Sequence, residues 1–159
     1  MGKNRWLLIA LAILVAMPIA WYLLSPAFIV LEMNETSPYI APETLVTGGN
    51  ETVSMPRITA QGDFKPGNHD VSGRALLIEE AEGNKTLRFE DFETINGPDL
   101  FIYLSKDATN DDFINIGEIK ATKGNVNYDI SPSIDTSQYK YVLVWCRAFR
   151  VLFSYAELA

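Results

Sequence analysis

Apolar positions fall into two regimes along this chain of 159 residues. Residues 6–24 (WLLIALAILVAMPIAWYLL) are apolar throughout, with Pro18 inside the run; from Gly62 onward apolar and polar residues alternate in short stretches. The first regime has about the length of a helix that crosses a bilayer, roughly 20 residues. Pro18 would kink or end a soluble helix, whereas spanning helices tolerate it. Trp6 stands at one end and Trp21-Tyr22 near the other, where amphipathic rings prefer the headgroup layer. A cleaved signal peptide is the rival, but its apolar core runs to only about 7–15 residues. Here Ser25-Pro26-Ala27 is followed by more apolar residues, 28–31. The expectation is an uncleaved anchor within residues 1–31. Lys3 and Arg5 precede the run and Glu32 and Glu35 follow it, which keeps the N-terminus cytoplasmic and places the C-terminal part outside.

The second regime reads as strands. Runs at 74–80, 86–92, 99–105, 113–121, 126–130, 141–146 and 149–155 are separated by turn chemistry such as Glu82-Gly83-Asn84, Asn96-Gly97-Pro98 and Lys123-Gly124-Asn125. Residues 141–146 are apolar at every position, as in a strand covered on both faces. About seven short strands and no 3.6-residue stripe outside the anchor predict an all-β domain over 62–159, an antiparallel β-sandwich or small barrel. Between the two regimes, residues 32–61 carry Pro38, Pro42, Pro56 and Gly48-Gly49 without sustained periodicity, the composition of a flexible stalk.

Composition removes whole classes of chemistry. Net charge is −7 and the basic residues form no cluster, against a nucleic-acid binder. One cysteine excludes an internal disulfide and a cysteine-based zinc cluster, and one histidine excludes any site needing two imidazoles. Asp107 to Asp112 is an acidic stretch without EF-hand spacing, read as a solvated turn. Glu79-Glu80 and Glu90-Asp91 are strand neighbours, which point to opposite faces and cannot converge as catalytic acids. No phosphate loop or serine elbow is present. Asn34, Asn50 and Asn84 open Asn-x-Thr triplets and are candidate glycosylation acceptors on the expected outer side.

Several motifs in register give a more specific signal. Gly67-Asn68-His69-Asp70-Val71-Ser72-Gly73, then Phe89-Glu90-Asp91-Phe92 with Asn96-Gly97-Pro98-Asp99-Leu100, then Gly117-Glu118-Ile119-Lys120, Lys123-Gly124-Asn125-Val126-Asn127-Tyr128 and the segment 139–158 resemble the DM13 domain. The resemblance implies an extracellular or membrane-attached β domain with a role in electron transfer. It centres that role on a nearly invariant cysteine, acting as a bare thiol or as a ligand to a group such as haem. Cys146, in Trp145-Cys146-Arg147, takes that place; Arg150 stands where the family often has a small or aliphatic residue. The electron donor would be a separate redox protein.

Two readings of Cys146 stay open on the residues themselves. Placed at a strand end near Arg147 and Arg150, its thiolate would be favoured by a close guanidinium. Arg147, as the next residue along the strand, should face the opposite way, leaving Arg150 or a loop to supply the charge. The alternative is a small buried hydrophobe, in a non-catalytic cell-surface β-sandwich that binds a protein or glycan. His69 could join the sulfur in holding haem or another metal, although two ligands do not complete a structural zinc or a blue-copper site. Its other reading is a loop histidine with one backbone hydrogen bond. An electron-transfer or binding module is expected rather than a stand-alone enzyme.

Overall fold

A computed structural model describes residues 3–25, 29–39, 55–80 and 83–159. The apolar run forms one helix, α1 (Lys3–Leu24), with Pro18 inside it. Its apolar side chains are exposed, and by length and composition it qualifies as a membrane span or a signal sequence.

The rest is a single curled sheet of nine strands among the described residues: β1 (Glu32–Asn34), β2 (Arg57–Pro66), β3 (Val71–Glu79), β4 (Lys85–Thr94), β5 (Leu100–Ser105), β6 (Phe113–Glu118), β7 (Lys123–Ile130), β8 (Tyr141–Cys146) and β9 (Val151–Glu157). The spatial order is β1-β7-β4-β3-β2-β9-β8-β5-β6. Every pairing is antiparallel except β1 with β7. The sheet curls as a half-barrel and leaves edges at β1 and β6. All-β architecture agrees with the alternation of the sequence; the strand count is nine rather than seven.

The two extra strands come from the segment read as a stalk. β1 lies within residues 32–61, and β2 starts at Arg57, so a domain boundary at Gly62 would cut β2 in half. The physical reason is a weak signal. β1 is three exposed residues, and β2 presents the small residues Ala60 and Gly62 inward, with Phe64 its one fully buried side chain. The sequon at Asn50 lies outside the described residues, as do residues 40–54.

Strand curvature gives two apolar faces. Inside lie Phe64, Phe89, Phe92 and Tyr128, their ring centroids 4.9–5.1 Å apart, with Leu100, Ile102, Val142, Val144, Cys146 and Phe153. Outside β5 and β8 lie Phe101, Tyr103 and Leu143, flanked by Trp145, Leu152 and Tyr155. The continuously apolar run 141–146 therefore faces core on one side and this smaller cluster on the other, with Leu143 fully buried on the outer side.

Candidate functional site

Cys146 is the last residue of β8, opposite Leu100 of β5 and Val151 of β9. Alternation along β8 sends its side chain inward with Val142 and Val144, and it is 0% exposed. Its Sγ–H donates to the Pro98 carbonyl oxygen at 3.1 Å. Two turns close over this strand end, residues 96–99 before β5 and residues 147–150 between β8 and β9.

Those turns are fastened to one another. The Arg147 backbone N–H donates to the Asp99 carbonyl at 3.0 Å, and the Arg147 guanidinium meets the Asp99 carboxylate at 3.0 and 3.3 Å. The same guanidinium lies 3.4 Å from the Phe101 ring centroid, a cation–π contact on the outer face. Hydrogen bonding to Asp99 holds it above its usual pKa. Arg147 thus points away from the sulfur, as strand alternation requires. Asp99 and Arg150 both adopt left-handed backbone, at φ +61 and +55. Arg150 is exposed and, among the described ion pairs, makes none.

His69 sits at the same end of the barrel with a different partner. Its ring is 4.0 Å from that of Phe153, and its backbone N–H donates to the Phe153 carbonyl at 3.2 Å. The histidine is held by stacking and by a backbone bond, while the thiol points to Pro98. Among the described residues, no three His, Cys, Asp or Glu side chains are grouped to hold a metal ion. A haem or metal ligated through Cys146 does not fit this arrangement. The sulfur has no open surface, its hydrogen is engaged, and its surroundings are packed core. Nearby, Ser154 faces inward opposite Val144, and its buried hydroxyl finds no hydrogen-bond partner.

The other sequence candidates resolve into structural parts. Asp107 accepts from Thr109 and Asp112 pairs with Lys106 at 2.8 Å, so carboxylates of the acidic stretch serve that turn itself. Glu79 pairs with Arg57, Glu80 accepts from the Thr86 hydroxyl, and Glu90 is bound by Arg74 and Arg88. Asn34 and Asn84 are exposed, the former with its Oδ1 accepting from Asn125 at 2.9 Å. Pro98, Asp99 and the backbone of Arg150 are parts of the site that sequence reasoning missed. The turn at 96–98 was legible; its contact with a strand 48 residues further on was not.

These features define a small β domain built around one sealed thiol beneath two clasped turns. The family model described as Electron transfer DM13 matches residues 63–158, more than half the chain, and the chain belongs to that family. No curated protein and no solved structure matches it.

Proposed function

We propose that this chain is an electron-transfer module held outside the membrane by α1, with its N-terminus cytoplasmic and Cys146 as the redox group in the form of a bare thiol. The reading rests on family membership and on one structural observation. Among the described residues, two of the three non-glycine residues with left-handed backbone, Asp99 and Arg150, stand in the two turns that cover Cys146. Such conformations cost of order 1–3 kcal/mol each and cluster at switches and active sites. Asp accepts the conformation readily; Arg150 is the less expected of the pair. The geometry supplies a protected resting state. Burial closes the thiol off from solvent, and its carbonyl partner accepts the hydrogen bond without being able to take the proton. Electron exchange therefore needs the turns to part, so that a separate redox protein and a proton acceptor from solvent can reach the sulfur.

A second reading is favoured by the burial itself: a cell-surface binding domain in which Cys146 is core packing. A hollow of about 430 Å³ on the outer face, lined by Tyr103, Asn110, Trp145, Arg147 and Arg150, would then be the working surface. Alkylation of the full-length chain by a neutral reagent separates the two. Under the redox reading Cys146 reacts in the native protein faster than the domain unfolds globally. Reaction at the global unfolding rate alone would leave the binding reading in possession.

A further inference from the structure

The chain between the helix and the sheet is short. α1 ends at Leu24, and Leu31 is already locked: its N–H donates to the Thr122 hydroxyl at 3.0 Å, and its carbonyl accepts from the backbone of Thr122 and Lys123 at 2.7 and 3.0 Å. Seven residues cannot span more than about 25 Å however they are arranged. β1 follows at once, in parallel register with Lys123 to Asn125 at the start of β7. Gly124 permits that pairing. At φ +108 it leaves room for the Met33 carbonyl, with which a Cβ would collide. The start of the segment expected to act as a tether is thus an edge strand of the sheet.

Strand directions then fix which end of the barrel the helix enters. β1 and β7 start there, β4 and β8 finish there, and β5 and β9 begin there. That is the end carrying the turns at 96–99 and 147–150 and Cys146. The surface where the chain arrives is apolar and open. Ile29 is 52% exposed, Val30 68% and Ile95 46%. Ile29, Val30, Val71 and Ile95 line a hollow of about 410 Å³, together with Asp70 and Glu93. Ile95 leads directly into the turn that accepts the thiol hydrogen bond.

We propose that this end of the barrel rests against the surface of a zwitterionic lipid bilayer, with Ile29, Val30 and Ile95 at the headgroup boundary and Cys146 on the membrane side of the domain. The proposal rests on α1 being a membrane span. Glu93 at the rim is paired with Lys123 at 3.1 Å, and Asp70 and Arg150, which make none of the described ion pairs, bring opposite charges to this end, which is why the lipid is zwitterionic. A partner exchanging electrons with Cys146 would approach through the narrow space between domain and bilayer.

Spin labelling of the full chain in phosphatidylcholine vesicles containing a gadolinium-headgroup lipid tests this. A nitroxide is placed through Ile95→Cys, and in a second variant through Val30→Cys, in case the first fails to fold. Ser133→Cys, in the connection between β7 and β8 at the opposite end, is the reference. The wild-type chain measures any background from Cys146. Relaxation enhancement severalfold greater at positions 95 and 30 than at 133 is the expected result. Equal or reversed enhancement, with the protein resisting alkaline carbonate extraction, overturns the orientation while leaving the anchor intact. Extraction by carbonate overturns the anchor, and the proposal with it.

Discussion

Asp99 and Arg147 form a clasp between the two turns at the Cys146 end of β8, and a thiol gated by those turns would open as often as the clasp allows. An exposed ion pair is worth about 0.2–1 kcal/mol. The Arg147 side chain is also braced on Phe101, and the backbone bond from Arg147 to Asp99 survives loss of the charge. Asp99→Asn isolates the ionic part, because asparagine tolerates the left-handed φ of +61 that Asp99 adopts. The domain should therefore stay folded with nearly unchanged stability. Opening of the turns should increase by up to about fivefold, the equilibrium equivalent of 1 kcal/mol. Native-state alkylation of Cys146 rises in proportion if local opening is its route. An unchanged rate in Asp99→Asn, with stability also unchanged, would show that the two turns do not gate the sulfur.

Strands β3 to β9 are legible in the sequence because each carries large side chains in alternation, and β8 announces its double burial by six apolar residues in a row. β2 is half legible: Phe64 marks its later part, while Ala60 and Gly62 carry too little apolar surface to mark the beginning. β1 carries no periodic signal at all. Its place is set by polar bonds that no local pattern encodes: Glu35 receives the Asn127 N–H, and Asn127 Nδ2 donates to the Thr36 carbonyl at 2.9 Å. Arg88 Nη1 reaches the Glu35 carbonyl at 3.1 Å. The site follows the same logic. Cys146 and its strand-end position were readable, but the turn that caps it comes from the connection between β4 and β5, two strands that do not pair, and alternation does not name partners. The weight that β1 places on Gly124 gives a direct check. Gly124→Ala forces a β-carbon against the Met33 backbone and an alanine into left-handed space, costing about 1–3 kcal/mol. The cost should fall on the edge. Hydrogen exchange should lose protection at the amides of Leu31 and Glu35, which donate into the sheet, while the amides of β8 and β9 keep theirs. Loss spread evenly over all nine strands would mean that β1 is integral to the global fold.

An acidic domain with few internal charges should respond to pH mainly through the carboxylates that the fold engages. Glu90 is the chief of these. Burial pushes its carboxyl upward, but hydrogen bonds from Arg88 and Arg74 and their charges outweigh that and hold it below its ordinary value. Arg88 is itself buried and binds Glu90 at 2.9 Å, Asn127 at 2.8 Å and the Glu35 carbonyl, so one network ties β3, β4, β7 and the segment after β1. Asp135, which caps the short helical turn at Thr136–Gln138, is also held low, by Ser137 and Gln138, and Asp107 by Thr109. A carboxyl with a depressed folded pKa stabilises fully above its unfolded pKa, and that stabilisation is lost as pH falls through the folded one. Stability of the wild-type chain, measured by urea unfolding, should hold near neutrality and decline as pH drops below about 4.3, the unperturbed Glu value. Glu90→Gln removes charged hydrogen bonds worth about 1–3 kcal/mol and leaves Arg88 with its two neutral acceptors. Against a typical total of about 5–15 kcal/mol, the variant should still fold. It should be weaker at pH 7 and flatter in acid, so that the two stability curves converge toward pH 3. Parallel curves over that range would place the acid sensitivity elsewhere, in Asp135, in Asp107 or in the net positive charge that builds once the carboxylates are protonated.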